Sequence, residues 1–180
     1  VLLYVALSQD GFIADAQGGV DWLPTGAEAA DPEDRAGYRA LLKRVGVLLM
    51  GRRTYDQILG FGPWAWPDHT TYVFTQTAPA GAAPQGVRFI KGRVADCLPE
   101  CQAQAGGRDL WLLGGADLAH AFARAGLIDA YILTWVPTQL GTGIKLELPD
   151  ENFEKVHEKL LPLGMMQAFW RKRSATVSWP

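Results

Sequence analysis

Two arginines at a strand-to-helix corner are the residues that most clearly suggest chemistry. Gly51 ends an apolar segment at 46–51, Arg52, Arg53 and Thr54 follow it, and the pattern then becomes helical. The first turn of a helix already carries the positive end of a dipole and usually takes acidic residues. Two further positive charges at this position therefore predict that an anion binds there.

A second corner of the same kind lies at residues 114–117. Gly114 and Gly115 follow an apolar segment, and Ala116 and Asp117 open the next helical pattern. Glycines let an anion approach the backbone, and a helix N-terminus offers unpaired N–H donors. One such corner alone is often no more than a tight turn, so the argument depends on both.

The two corners together fit a phosphorylated dinucleotide. One corner would hold the pyrophosphate while the arginines of the other meet a 2′-phosphate, because the guanidinium group is suited to phosphate. The chain contains no G-x-G-x-x-G motif. A nicotinamide cofactor would therefore be bound by a fold other than the Rossmann type.

Elements that could position these corners follow from the hydrophobic pattern. Strand-like and helical segments alternate through most of the chain, and two alternating segments at 153–164 and 165–174 suit an antiparallel hairpin. This order predicts an α/β fold with a mostly parallel central sheet and an antiparallel C-terminal edge. The other predicted strands lie at 2–8, 46–51, 70–75, 87–92, 109–115 and 127–137, the helices at 31–45, 53–62, 93–107 and 116–126, and loops at 12–26 and 138–150.

The bulk properties narrow the function classes. The chain has 180 residues and predicts a single domain over 1–180. Its formal net charge of −2 gives no general attraction to nucleic acid or to an anionic membrane. No apolar run approaches the length of a membrane span. We therefore expect a small-molecule partner, with no nucleic acid and no membrane.

The thiols and imidazoles do not suggest a metal centre. Cys97 and Cys101 stand one helical turn apart, and without a second cysteine pair they indicate packed thiols rather than a redox or metal site. Two cysteines in a chain of this length, with no leader pattern before the first strand, suit a cytoplasmic protein. His69, His120 and His157 are scattered, so no metal ligands are predicted.

Five blocks of the sequence resemble a known family. The blocks "YVALSQDGFIA", "GGVDWL", "LLMGRRTYD", "LWLLGGADLAHAF" and "GLIDAYILTWVPTQLGTG" resemble, in that order, the reductase domain of riboflavin biosynthesis. That domain is the C-terminal half of the bifunctional deaminase-reductase. The resemblance covers residues 2–143, and it implies the three-layer fold of dihydrofolate reductase, with helices on both faces of the sheet.

The resemblance also implies NADPH as the cofactor. Ala6 matches the position whose backbone meets the nicotinamide carboxamide, and Ile13 belongs to the mobile loop that covers the nicotinamide. Thr75 matches a residue near the adenine ribose. The remaining matches are the turn at the 2′-phosphate and pyrophosphate, with Gly51, Arg52, Arg53 and Thr54, and the glycine turn at the pyrophosphate, with Gly114, Gly115, Ala116, Asp117 and Leu118.

Acidic residues near the first loop are candidates for proton transfer or for structure. In dihydrofolate reductases one acid on the helix after this loop donates a proton, and Asp34 is its nearest match here; it could equally be a first-turn acid favoured by the helix dipole. Asp31 is predicted to be the N-cap, and Asp10 a turn residue. Asp21 and Trp22 lie in the cover loop, where they could contact substrate or simply pack.

These observations support an NADPH-dependent reductase that transfers hydride to a small heterocycle. The nearest named activity is reduction of 5-amino-6-(5-phosphoribosylamino)uracil in riboflavin biosynthesis, and the alternative enzyme is a dihydrofolate or other pterin reductase. The chain lacks the H-x-E and P-C-x-x-C signature of the zinc deaminase, so we do not expect the bifunctional enzyme. A non-catalytic NADPH-binding module, or a structural protein whose corners are only turns, are the alternatives from other classes.

A homodimer is expected from the same resemblance. The long strand predicted at 127–137 and the C-terminal hairpin could pair across a two-fold axis.

Overall fold

The computed structural model describes residues 1–24, 32–77, 79–147 and 149–176, and the side chains of residues 32–34 fall outside this description. The predicted N-cap Asp31 and the side chain of Asp34 therefore lie outside the described residues. The chain divides into two compact units. The first consists of Val1 and Arg44–Leu127, and the second of Leu2–Lys43 and Ile128–Pro180. A single domain over 1–180 stays a prediction.

The described residues form strands and helices in the predicted alternation. The strands are β1 (Leu2–Ser8), β2 (Phe12–Ala14), β3 (Val45–Gly51), β4 (Thr70–Phe74), β5 (Val87–Ile90), β6 (Asp109–Gly114), β7 (Ala130–Val136), β8 (Ile144–Lys145), β9 (Phe153–Leu160) and β10 (Met166–Lys172). The helices are α1 (Pro32–Arg44), α2 (Arg52–Gly60), α3 (Val94–Ala105) and α4 (Ala116–Arg124).

The first unit is built on a parallel sheet in the order β5-β4-β3-β6. All of β3 except Gly51 is buried, as the unbroken apolar run predicts for a strand covered on both faces. In this sheet Gly51 is paired with Phe74, and Met50 with Gly114. The carboxyl ends of β4, β3 and β6 therefore meet at one edge, where α2 and α4 begin.

The second unit pairs β1 with β7 in parallel, and β10 with both β7 and β9 in antiparallel fashion. The predicted C-terminal hairpin is thus present. Its strands are joined by a short 3-10 helix at Pro162–Gly164. The register of β9 shifts between Phe169 and Trp170 of β10, and this β-bulge was not evident from the sequence.

Two short strands occupy segments that the sequence predicts as loops. β2 lies within 12–26 and β8 within 138–150, and the two pair with each other. A Cβ at Gly143 would overlap the carbonyl oxygen of Ala14. Glycine at this position therefore allows the close approach of two segments that are far apart in the chain.

α3 contains Pro99, and both cysteines are buried on it as free thiols. Burial raises the pKa of Cys97, and it raises the pKa of Cys101 to about 12. A thiol of this kind is protonated at neutral pH and is a poor nucleophile or metal ligand. The two cysteines therefore behave as packing residues.

The predicted fold class is confirmed: the sheets are mostly parallel, with helices, and the chain ends in an antiparallel hairpin. None of the helices among the described residues is long and apolar enough to cross a membrane.

Candidate nucleotide-binding site

The site in the first unit lies at the carboxyl ends of β3, β4 and β6. α2 begins after Gly51 and α4 after Gly115, and neither helix N-terminus has a side-chain cap. The first turn of each helix therefore presents backbone N–H groups that have no intrahelical acceptor. α2 also has no acid in its first turn. Two uncapped helix N-termini at one sheet edge can bind an anion through their backbone N–H groups.

Thr54 and Gly115 connect the two corners directly. The backbone N–H of Gly115 donates to Thr54 Oγ1 over 3.0 Å, and a Cβ at Gly115 would lie only 3.3 Å from that oxygen. A hydroxyl that accepts one hydrogen bond keeps its own hydrogen to donate. Within the described part of the chain that hydrogen has no acceptor. The joined corners therefore offer an O–H donor beside the free N–H groups.

The two arginines have different environments. Arg52 Nε donates to both carboxylate oxygens of Asp56, at 2.8 and 2.7 Å, and its Nη1 donates to the carbonyl oxygen of Thr77 at 3.2 Å. Arg53 is exposed and makes no hydrogen bond or ion pair with the residues that the structure describes. A purely structural role predicts that both arginines are paired with carboxylates. Only Arg52 meets that expectation.

Thr75 directly follows β4 and shapes the rim beside Arg52. Its Oγ1 donates to the carbonyl oxygen of Thr77 over 2.8 Å, and the N–H of Thr77 donates to Thr75 Oγ1 over 3.3 Å. The Thr77 carbonyl oxygen thus accepts hydrogen bonds from both Thr75 and Arg52. Sequence reasoning missed Thr77 and Asp56, although the spacing of four between Arg52 and Asp56 is the signature of a helical ion pair.

The second corner orients backbone donors. Gly114 has a φ of 131°, a conformation that residues with side chains rarely adopt. Ala116 and Leu118 are buried in the first turn of α4, so these two can reach a ligand only through their N–H groups. Asp117 is the exposed first-turn acid of that helix. Its carboxylate is not suited to a phosphate, so any role in binding falls to its N–H group.

Ala6 and Trp22 are brought together in the second unit. Both pack against the buried cluster of Val136, Leu161 and Met165. The indole Nε1 of Trp22 is buried, with no hydrogen-bond partner among the described residues. Such an N–H group usually finds an acceptor when buried, so Trp22 keeps an unused donor where it packs against this cluster. Asp21, its neighbour in the loop, is exposed.

Asp10 fastens the turn that leads from β1 to β2. Ser8 Oγ donates to its carboxylate over 2.7 Å, and the N–H groups of Gly141 and Leu140 donate over 2.7 and 3.2 Å. The Ser8 hydrogen bond, followed by those from Gly141 and Leu140, lowers the pKa of Asp10 to about 2. Asp10 therefore holds the turn that leads into β2, the strand in which Ile13 lies partly buried.

A buried polar group lies on the same sheet face as Ala6. Gln167 Nε2 donates to Thr134 Oγ1 over 2.8 Å and to the Tyr4 hydroxyl over 3.2 Å. Thr134 stands opposite Ala6 in the pairing of β1 with β7, and Gln167 stands opposite Thr134. An amide and two hydroxyls within a sheet core are expensive unless they are all hydrogen-bonded. Sequence reasoning missed this group because the three residues meet only through strand pairing.

The described residues hold no cluster of three or more His, Cys, Asp or Glu side chains that could bind a metal ion. The proposed proton donor Asp34 is on α1, but its side chain lies outside the described residues, so its role stays a prediction.

Solved structures define the class of this fold. The chain aligns with dihydrofolate reductase from Enterococcus faecalis, solved with NADP(H) and RAB-propyl, with a TM-score of 0.64 over 96% of each chain and 18% identity. That likeness concerns the fold alone. A protein from Shewanella sp. PV-4, provisionally named for riboflavin biosynthesis, aligns with a TM-score of 0.78 and 29% identity over 96% of this chain and 98% of the other.

The sequence identifies the family within that class. Residues 1–169 match the RibD C-terminal domain, and the chain belongs to this family, as the resemblance predicts. Two uncharacterized proteins of Bacillus subtilis (strain 168) are similar over most of their length. YwjB is 35% identical over 154 residues, which are 84% of this chain and 85% of YwjB. YyaP is 26% identical over 182 residues, with 93% and 92% covered.

Proposed function

We propose that this protein is an NADPH-dependent reductase that transfers hydride to a small heterocyclic substrate, of the 5-amino-6-(5-phosphoribosylamino)uracil reductase type. The observation that carries the proposal is the joined corner of Thr54 and Gly115. It leaves an O–H donor and two helix N-termini without side-chain caps beside Arg53, which has no hydrogen bond or ion pair among the described residues. Membership of the RibD C-terminal domain family supports the reductase class.

The residues of the first unit fit the phosphates of NADPH. Free N–H groups at the starts of α2 and α4 would bind the pyrophosphate, and the Thr54 hydroxyl would add a further hydrogen bond. Arg53 is available for the 2′-phosphate without breaking an existing bond. Arg52 has used Nε and one Nη1 hydrogen on Asp56 and Thr77, so it would contribute its outer nitrogen from a fixed position.

The residues of the second unit fit a flat ring. The proposal assigns the nicotinamide to the backbone of Ala6 and to the loop that contains Ile13. Trp22 packs beside Ala6 on an apolar cluster, where its indole would exclude water and direct its N–H group at a ligand acceptor. Tyr4 and Thr134, held by Gln167 on the same sheet face, provide fixed hydroxyls for a heterocycle rich in hydrogen-bonding edges.

The bound cofactor supplies the hydride, and the protein supplies binding, orientation and a dry site. The corners of the first unit anchor the nucleotide through its phosphates. Asp10 keeps the β1–β2 turn and the 140–141 segment together, so the loop that bears Ile13 is held at its base. Asp34 is proposed as the group that delivers the proton.

A fluorescence titration with NADPH and NADH, using the seven tryptophans as reporters, tests the cofactor assignment. Arg53→Ala should weaken NADPH binding about tenfold or more, since a hydrogen bond to a charged group is lost. Binding of NADH, which lacks the 2′-phosphate, should hardly change. Arg124→Ala removes the same charge from the other end of α4, and it should leave both affinities unchanged.

Turnover is a separate question from binding. NADPH oxidation should occur with 5-amino-6-(5-phosphoribosylamino)uracil and be slow or absent with dihydrofolate; the reverse preference would favour a pterin reductase. A module that only senses NADPH would bind it with the expected selectivity and show no turnover with either substrate. If neither nucleotide binds, the reductase proposal is wrong and the corners are turns.

A further inference from the structure

β9 is an edge strand with a self-complementary order of charges. Among the described residues its one strand neighbour is β10, so its other edge presents unpaired backbone groups. The strand reads Phe-Glu-Lys-Val-His-Glu-Lys-Leu from 153 to 160. If a second copy aligns antiparallel about a two-fold axis between Val156 and His157, Glu154 stands opposite Lys159 of the second copy, and Lys155 opposite its Glu158.

The β-bulge makes this register consistent with the faces of the sheet. Glu158 is paired with Ala168, and Lys155 with Trp170, so both lie on one face even though three positions separate them. In a regular strand an odd separation would place them on opposite faces. Lys155 and Glu158 indeed form an ion pair within the chain. Residues directly opposite in an antiparallel pair share a face, so Lys155 and Glu158 of the second copy can meet.

The other pairs obey the same rule. Glu154 is paired with Arg171 and Lys159 with Gln167, which places both on the face that bears Ala6. Phe153 and Leu160 lie on the opposite face, beside Lys172 and Met166. Apart from the pair of Val156 with His157 at the axis, the pairs of the two-fold register thus combine an acid with a base, or two apolar side chains, on a common face. A register displaced by one residue would break this match.

An exposed apolar side chain gives an independent reason for a partner. Leu160 is 75% exposed and Val156 is 46% exposed. In the two-fold register Leu160 meets Phe153 of the second copy, whose ring is held against Tyr131 at a centroid distance of 4.9 Å. The pairing would therefore cover Leu160 with a fixed aromatic ring. Val156 would lie at the axis, beside His157 of the second copy.

We propose that β9 is the contact surface for a second copy of this chain, paired antiparallel about an axis between Val156 and His157. The family resemblance predicts a homodimer, and the proposal adds the edge, the register and the four-charge cluster of Lys155 and Glu158 from both copies. The proposal is independent of the reductase activity, because it uses none of the residues assigned to cofactor or substrate.

Sedimentation equilibrium of charge variants tests this surface. Lys155→Glu places two acids opposite two acids, and Glu158→Lys places two bases opposite two bases. Each variant should dimerise at least about tenfold more weakly than the wild type, because two attractive cross-strand pairs become repulsive. The double variant Lys155→Glu/Glu158→Lys restores both pairs and should dimerise like the wild type. Lys91→Glu, an exposed charge reversal of the same size beyond β5, should have no effect.

A mixing experiment separates the contact between copies from the ion pair within one chain. When Lys155→Glu and Glu158→Lys are mixed, each acidic pair faces a basic pair, so a heterodimer should form although neither variant dimerises well alone. Native mass spectrometry with one variant isotopically labelled detects it. Lost stability within each chain could not produce this rescue. A monomeric wild type, a dimer that ignores the charge reversals, or a mixture without heterodimer would each overturn the proposal.

Discussion

Asp10 shows how one carboxylate fixes a loop, and its titration predicts a dependence on pH. Ser8, Gly141 and Leu140 all donate to it, and its pKa falls to about 2 from the ordinary value of 3.8. A folded-state pKa below the unfolded value adds stability that is complete above the unfolded pKa. This contribution is lost as pH falls through 2.

Asp10→Asn should therefore lower the free energy of unfolding at neutral pH, since the neutral amide keeps at most part of the carboxylate's hydrogen bonds. The difference from the wild type should shrink as pH falls from about 4 towards 2, because the wild-type carboxyl is then protonated as well. Urea unfolding over a pH series measures both quantities. Asp68→Asn is an exposed control, and a difference that stayed constant with pH would contradict this account.

At the residue scale the sequence predicts positions better than partners. The sequence places Gly51, Arg52, Thr54 and Gly115 at strand-to-helix corners, where the structure has them, because a strand that ends in glycine before a helix leaves few interpretations. Their roles in binding stay predictions. Whether each arginine is paired could not be predicted beyond the local spacing to Asp56. The hydrogen bonds of Gln167 depend on contacts between residues about 30 and 160 positions apart, which no local pattern contains.

At the scale of the elements, the pairing of β2 with β8 depends on a single glycine. A Cβ at Gly143 would overlap the Ala14 carbonyl and would also lie 3.2 Å from the Phe12 side chain. Gly143→Ala should therefore force the two strands apart and destabilise the protein by about 1–3 kcal/mol. Because Ile13 lies between Phe12 and Ala14, the same change should weaken NADPH binding through the cover loop.

Thermal unfolding and the NADPH titration measure these two effects. Gly60→Ala is the matched control, because a Cβ there meets open space at the end of α2, and it should be close to neutral or slightly stabilising. If Gly143→Ala left both stability and affinity unchanged, the β2–β8 pairing would have no part in positioning the loop.

The elements that the sequence predicted well are the long ones. Buried parallel strands such as β3 read as unbroken apolar runs, and α4 as an amphipathic pattern closed by Gly126. β2 and β8 have three and two residues, too few for any periodicity, and their segments contain the glycines and polar residues of a loop. The β-bulge in β9 could not be predicted from the sequence either. One extra residue only slightly disturbs the alternation of polar and apolar residues, and an exposed strand tolerates such exceptions.

At the scale of the whole molecule the order of strands and helices indicated the fold class, since alternating elements leave few right-handed arrangements. The division into two units could not be predicted, because the second unit combines segments that lie before and after the first in the sequence. The corners of the nucleotide site belong to the first unit, whereas Ala6, Ile13 and Trp22 belong to the second. The proposed cofactor roles can therefore be tested one unit at a time.

Amide hydrogen exchange, measured with 2′,5′-ADP and with NADPH, tests the two units separately. A ligand that binds the folded state protects the amides it holds in proportion to its occupancy. 2′,5′-ADP carries the phosphates of the adenosine half and no nicotinamide, so it should protect residues 51–54 and 114–118. NADPH should protect these and, in addition, Ala6 and residues 12–14. Protection by NADPH confined to the first unit would show that the nicotinamide assignment is wrong while the phosphate site stands, because the two ligands differ in the nicotinamide half.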